Sequence, residues 1–264
     1  MQAEGPRGLR GIAAVLLLAL LPAAAVAVQP GNDAPQPLVV SVDYAVPEYK
    51  GGAKFRSPPT IDTVLAADLG KRLGLPVEVV GVGEIGAEQA GLRLTTLAGV
   101  SAVPAAVAAV PVGYRAAPMA ILRTDTAIRR WEQLEGRSVC VATGGNHVGT
   151  VGRRYGALEQ VHPTVTDALI ALRTGVCDAL VHDSAMLEEL IRFPEWKKFS
   201  ARLPAGSRST LAFLVPSQDR RMVSLVQRVT AEWAAQDYPA AVVRNAVRNM
   251  AFEVYLEQDV PDCH

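Results

Sequence analysis

Four histidines and three cysteines are scattered through 264 residues, and no two cysteines form a C-x-x-C pair. That spacing offers neither a zinc site nor a dithiol redox motif, so no metal is expected, and nothing else in the chain calls for a cofactor. Charge of one sign is also missing. Lysine plus arginine equal aspartate plus glutamate at 26 each, which leaves no basic excess for nucleic acid or an anionic membrane surface. Aromatic residues are only 5% of the chain against 50% hydrophobic, so a core must be packed from alanine, valine and leucine. The apolar stretch "SAVPAAVAAVPVGYRAAPMAILR" is interrupted at Pro104, Pro111 and Pro118 and cannot span a membrane. Internal repeats and low-complexity tracts are absent beyond the N-terminus.

One uninterrupted hydrophobic run does exist. "MQAEGPRGLRGIAAVLLLALLPAAAVAVQP" sets Arg7 and Arg10 before an apolar core from Gly11 to Leu21, followed by small residues with Ala25-Val26-Ala27 as an A-x-A site. This is the layout of a secretory signal covering residues 1–27. Pro22 and the small residues after it favour cleavage over an uncleaved anchor, and no cysteine lies nearby to carry a lipid. A chain starting near Val28 and working outside the cytoplasm is expected, where disulfides persist.

After a turn-rich lead-in, "LVVSVDY" (38–44) reads as a strand that ends in Asp43 and Tyr44. A long polar loop follows, and then "TIDTVLAADLGKRLG" carries Ile61, Val64, Leu65, Leu69 and Leu73 at helical spacing. Thr60 can cap that helix and Gly74 can end it. "LPVEVVGV" and "LRLTTLAGV" read as strands, 104–110 as a helix, and 116–122 as a strand. A second α/β unit starts after residue 123: strand "SVCVA", Gly-rich turn "TGGNHVG" opening a short helix, helix "TVTDALIALRTG", strand "CDALVHD", helix "SAMLEELIRF". Strand 210–216 and helices near 219–235 and 239–250 complete the chain.

The sharpest question lies in "CDALVHDSAMLEEL" (177–190), where a buried-looking strand ends in a carboxylate. Asp183 or Ser184 can simply cap the next helix. Asp183 can instead face a ligand at the carboxyl edge of an open α/β sheet. The turn "TGGNHVG" poses the same choice. Its backbone N–H groups at Gly144, Gly145 and Asn146 can hold an anion at a helix N-terminus, or it is an ordinary tight turn. It is not a phosphate loop, because the Lys-Ser/Thr ending is missing. His147 reads as a surface or turn residue.

The order and spacing of "LVVSVDYAVPEY", "IDTVLAADLGKRLGLPVEVV", "RRWEQLEGRSVCVATGG" and "DALIALRTGVCDALVHDSAMLEEL" resemble the bacterial extracellular solute-binding proteins of family 3. These are the periplasmic receptors of polar amino acid ABC transporters. The resemblance covers most of residues 38–192 and implies a type II periplasmic-binding-protein-like α/β fold. Two α/β lobes would be joined by a two-strand hinge with the ligand cleft between them. Lobe 1 is expected over 38–122 and 217–264, and lobe 2 over 123–216.

By the same resemblance Asp183 takes a ligand ammonium, while Tyr44 and Tyr49 cover the ligand side chain or form a plain hydrophobic lid. Gly144, Gly145 and Asn146 would line the cleft. The family's first-lobe arginine, which forks onto a ligand carboxylate, has no counterpart in "TTLAGVSAVPAAVAAVPVGYR". Arg115 is the nominal substitute, with Arg93 and Arg56 as alternatives. Related receptors carry cysteines in the segments of Cys140 and Cys177, which implies a disulfide there and leaves Cys263 over. The expected function is capture of a small polar solute, an amino acid or amine-bearing compound, for an ABC-transporter permease. The protein would work as a periplasmic monomer and not as an enzyme. The alternatives are an accessory protein docking on another periplasmic protein, or a cyclohexadienyl-dehydratase-like enzyme recruiting Glu48 or Asp183 as general acid.

Overall fold

The computed structural model describes residues 36–45, 59–98 and 103–256. The signal-like stretch 1–27, Glu48, Tyr49, Arg56 and Cys263 lie outside the described residues.

β1 (Leu38–Val42) leads through α1 (Ile61–Leu73) to β2 (Val77–Gly81), and β3 (Leu92–Ala98) and β4 (Val107–Ala116) follow. Next come β5 (Pro118–Leu122), β6 (Ser138–Ala142), α2 (Thr150–Tyr155), β7 (Leu158–His162), α3 (Val165–Arg173), β8 (Ala179–Asp183), α4 (Ser184–Leu190) and β9 (Ala201–Arg202). β10 (Ser209–Pro216), α5 (Arg220–Ala235) and α6 (Tyr238–Leu256) close the fold. Two five-stranded sheets result, ordered β2-β1-β3-β10-β4 and β7-β6-β8-β5-β9. In the first, β1 runs parallel to β2 and β3 while β10 is antiparallel to β3 and β4. In the second, β6 runs parallel to β7 and β8 while β5 is antiparallel to β8 and β9. Among the described residues no helix is long and apolar enough to cross a membrane.

Local chemistry accounts for the elements. Thr60 caps α1 through its hydroxyl, which accepts from Thr63 N–H at 3.3 Å, and Gly74 ends the helix at φ 67°. Gly70 lies where α1 presses on β2: a Cβ there would stand 2.0 Å from Val77 Cγ2. Trp233 of α5 is fully buried and donates to Asp68 Oδ2 at 2.6 Å, and Arg72 bonds the same carboxylate, which ties α5 to α1.

Three expectations are corrected. Residues 104–110 are not a helix: β4 starts at Val107, and Val110, Val112, Tyr114 and Ala116 are buried while Pro111, Gly113 and Arg115 are exposed. The period of two is masked in the sequence by alanine at both kinds of position. β4 is an edge strand, where the N–H that Pro111 lacks is not needed by a second partner. The lobe boundaries also move. β5 pairs with β8 and β9 in the second sheet, and β10 pairs with β3 and β4 in the first. The chain therefore crosses at Ala117 and again near 203–208, earlier than the expected 122/123 and 216/217. The two crossings are bonded together, with Gly206 N–H donating to Pro118 O at 2.9 Å. Finally, α6 runs past residue 250 to Leu256.

α6 belongs to neither sheet alone. It packs against α1, α5 and β4 on one side and against α3 and α4 on the other. Val247 and Met250 of α6 share one apolar core with Leu169, Met186, Leu187 and Leu190.

Cys140 on β6 is bonded to Cys177, which lies in the turn just before β8 and not on a strand, with Cα atoms 5.7 Å apart. The bond joins residues 37 apart in sequence. A closed loop of that size is expected to contribute about 4 kcal/mol through the unfolded chain. Replacing both cysteines by serine should lower the urea midpoint and raise the slope m, because the unfolded chain without its cross-link exposes more surface, measured against the oxidised parent.

Candidate functional site

The parallel strands β1, β6 and β8 run their carboxyl ends toward one another across the gap between the sheets. Just beyond those ends stand Tyr44, the turn Thr143–His147, and the pair His182 and Asp183. β3 adds Thr96, β4 adds Tyr114, and the first turn of α1 adds Asp62. Together they enclose a cleft with about 140 Å³ open to the centre of a water molecule. At about 30 Å³ for each water in the liquid, that space holds roughly five waters. Ile61, Met186, Leu211 and Met250 form its apolar walls.

Asp183 occupies the N-cap position of α4, yet its side chain makes no capping bond. Its two oxygens point elsewhere. Oδ1 stands 2.9 Å from Nε2 of buried His147, and Oδ2 accepts from the Tyr114 hydroxyl at 2.7 Å. Burial by itself would push this carboxyl up. The bond to His147, the His182 and His147 rings and the Tyr114 hydroxyl outweigh burial and hold it at about 2. The Tyr114 phenol is in turn pushed well above its usual value by burial and by the Asp183 charge. Burial drives His182 down to about 4, so its ring is neutral at pH 7. Its Nδ1 is buried without a hydrogen-bond partner.

Asp62 behaves in the opposite way. No hydrogen bond reaches its carboxylate among the described residues. Burial, then the charges of Asp43 and Asp183, raise it to about 7. Asp43 itself is tied down: both its oxygens accept from Thr95 Oγ1, at 2.9 and 2.8 Å, and Arg93 Nη2 reaches it at 3.1 Å.

The Gly-rich turn lies against the opposite lobe. Gly144 has φ 76°, and a Cβ on it would stand 2.1 Å from Tyr44 Cβ, so only glycine fits. Asn146 Nδ2 donates to Thr96 Oγ1 at 2.9 Å, a second direct bond between the lobes. Further along, at the start of α2, an anion is already held internally. Glu159 of β7 accepts from the N–H groups of Gly149, at 2.5 Å, and Gly152, at 2.7 Å, at the start of α2.

Of the expected site residues, Asp183, Tyr44, Gly144, Gly145 and Asn146 line the cleft, and Tyr49 lies outside the described residues. Arg115 is corrected: it is exposed on the face of β4 opposite Tyr114 and does not line the cleft. Arg93 is engaged by Asp43. No lysine or arginine lines the cleft among the described residues.

No protein-family model matches the chain, and no curated protein does. Solved structures do match. A mutant of ArgBP from T. maritima superposes with TM-score 0.58 at 18% identity, over 80% of this chain and 95% of that one. The amino acid ABC transporter substrate-binding protein AbpA from Streptococcus pneumoniae, bound to L-arginine, gives 0.57 at 14% over 81% and 96%. The GluR0 ligand-binding core from Nostoc punctiforme, in complex with L-glutamate, gives 0.57 at 14% over 79% and 98%. The fold is that of the type II periplasmic binding proteins. Two α/β lobes joined by a two-strand hinge are the arrangement these neighbours share with this chain.

Asp62, Tyr114 and His147 were not legible as site residues. Asp62 reads as a first-turn acid of a capped helix, and only its place after the long loop from β1 hints at the cleft. Tyr114 alternates with Val110 and Val112 as any core residue does. His147 sits in a turn whose burial depends on the opposite lobe.

Two variants test these electrostatics. Between pH 4 and 7 folded Asp62 keeps a proton that the unfolded chain has lost, so its contribution to stability falls as pH rises through that window. Asp62→Asn should therefore raise the melting temperature at pH 8, by at most about 4 kcal/mol of stability, and change little at pH 4. Tyr114→Phe leaves Asp183 Oδ2 without its donor and should cost about 1–3 kcal/mol in denaturant titrations at pH 7.

Proposed function

We propose that this chain is an exported, monomeric solute-binding protein. It captures a small polar solute, an amino acid or amine-bearing compound, in the periplasm and delivers it to an ABC-transporter permease. The observation that carries this reading is the direction of Asp183: a carboxylate at the end of a strand leaves its helix uncapped and turns into a cleft between two lobes. A negative group there attracts a cation more strongly than it would in water, because the apolar walls lower the local dielectric. The neighbouring structures include substrate-binding proteins of amino acid ABC transporters and complexes with arginine or glutamate, which supports the same class of ligand.

The dehydratase-like alternative has one observation in its favour. Asp62 keeps its proton to about pH 7, as a general acid must, whereas the pKa of Asp183 is held too low for that role. Its anionic substrate would meet Asp62 and Asp183 with no cationic side chain beside them among the described residues, which weighs against it.

Protein stripped of ligand by unfolding and refolding, screened by thermal shift against amino acids, amines and organic acids, tests the reading. A true ligand at about 100 times its Kd adds about 2.7 kcal/mol, a rise of roughly 5–10 °C at this size. Asp183→Ala should abolish that rise. Turnover of prephenate would favour the enzyme instead.

A further inference from the structure

The cleft's hydrogen-bonding groups are strongly one-sided. Asp62 brings a carboxylate with no partner, and Asp183 adds a second whose bonds to His147 and Tyr114 leave further lone pairs open. His182, uncharged, lines the same space with an unpartnered buried nitrogen. No lysine or arginine lines the cleft among the described residues, so a ligand carboxylate would find only neutral donors there, such as the N–H groups of the Gly-rich turn. Arg93 is bound to Asp43, Arg115 faces away, and the N–H groups at the start of α2 are closed by Glu159. An α-amino acid placed here would have its ammonium matched and its carboxylate set beside two others. One negative charge facing another at about 4 Å costs several-fold to many-fold in affinity once water is excluded.

Resting on the solute-binding reading above, we infer that the ligand is a small amine or guanidine without a carboxylate, and that Asp62 is its second anionic contact beside Asp183. A space of about 140 Å³, close to one that accepts a benzene ring, suits a small molecule with its methylenes along Ile61, Met186, Leu211 and Met250. N–H donors are required by the carboxylates, which makes primary amines and guanidines better partners than quaternary ammonium.

pH dependence follows from the same group. Asp62 faces Asp43 beyond β1, Tyr114 on β4, His147 in the Gly-rich turn, and His182 and Asp183 on β8. Over pH 6–8, Asp183 stays ionised, Tyr114 stays protonated and His182 stays neutral. A cation must displace the Asp62 proton below about 7. Affinity therefore falls on acidification, toward a limit of about ten-fold per pH unit.

The experiment uses three matched pairs differing by one carboxylate: agmatine and arginine, cadaverine and lysine, 2-phenylethylamine and phenylalanine. Calorimetric titration of ligand-stripped protein at pH 8 should give at least one amine a Kd ten-fold or more below that of its parent amino acid. Asp62→Asn, its fold checked by circular dichroism, should weaken that amine at least ten-fold and flatten the pH slope between 6 and 8. A parent amino acid that binds more tightly overturns the inference while the solute-binding reading stands, as does tight binding of a sugar or dicarboxylate alone. An amine whose affinity is indifferent to Asp62→Asn removes Asp62 from the site. Silence across every class of solute overturns both readings.

Discussion

The Asp183 carboxylate is the joint on which the site depends. Tyr114 reaches it from the first sheet, and His147 reaches it from the turn after β6 in the second. One ionised group is thus held by donors from both lobes, and its position fixes where the lobes meet. The second bond between them, from Asn146 to Thr96, and the close fit of Gly144 on Tyr44 flank this point. A carboxylate buried among such donors is stabilised as an anion, and breaking the set would leave a charge in an apolar wall.

The charge pattern around it explains why neighbouring acids differ. Asp43 is neutralised locally by Arg93 and Thr95, Asp183 is satisfied across the cleft, and Asp62 has nothing to offset its burial. The same residue type therefore appears as a paired anion, a bridging anion and a group that holds its proton to neutral pH. Environment decides, not identity. Only Asp62 is left without a hydrogen-bond partner among the described residues.

Much of the fold was readable from sequence because its signals are local. Thr60 and Gly74 bracket α1 by capping chemistry, and the run ending at Asp183 shows a strand stopping at a polar edge. Asp183, Gly144 and Asn146 were legible as cleft candidates because they follow strands of the second unit. What failed was non-local. Whether β5 joins the first or second sheet depends on pairing with β8, some sixty residues on, and nothing within Pro118–Leu122 records it. Arg115 was placed by the family resemblance, as a substitute for a missing arginine, but alternation along β4 turns it away from the cleft. Asp62 was missed for the converse reason: its unusual state comes from burial and then from the charges of Asp43 and Asp183, all supplied by distant parts of the chain.

The C-terminal helix adds a constraint of another kind. α6 lies on α1 and α5 and also on α3 and α4, with Met250 and Val247 set against Met186, Leu187 and Leu190. Swinging the second sheet away from the first must strip or slide these side chains past one another. Apolar surface then meets water at about 25 cal/mol for each Å² exposed. Any such movement carries that cost in addition to bending the two crossing strands. Met186 and Met250 thus serve twice, as walls of the cleft and as part of the contact that holds the two halves together behind it.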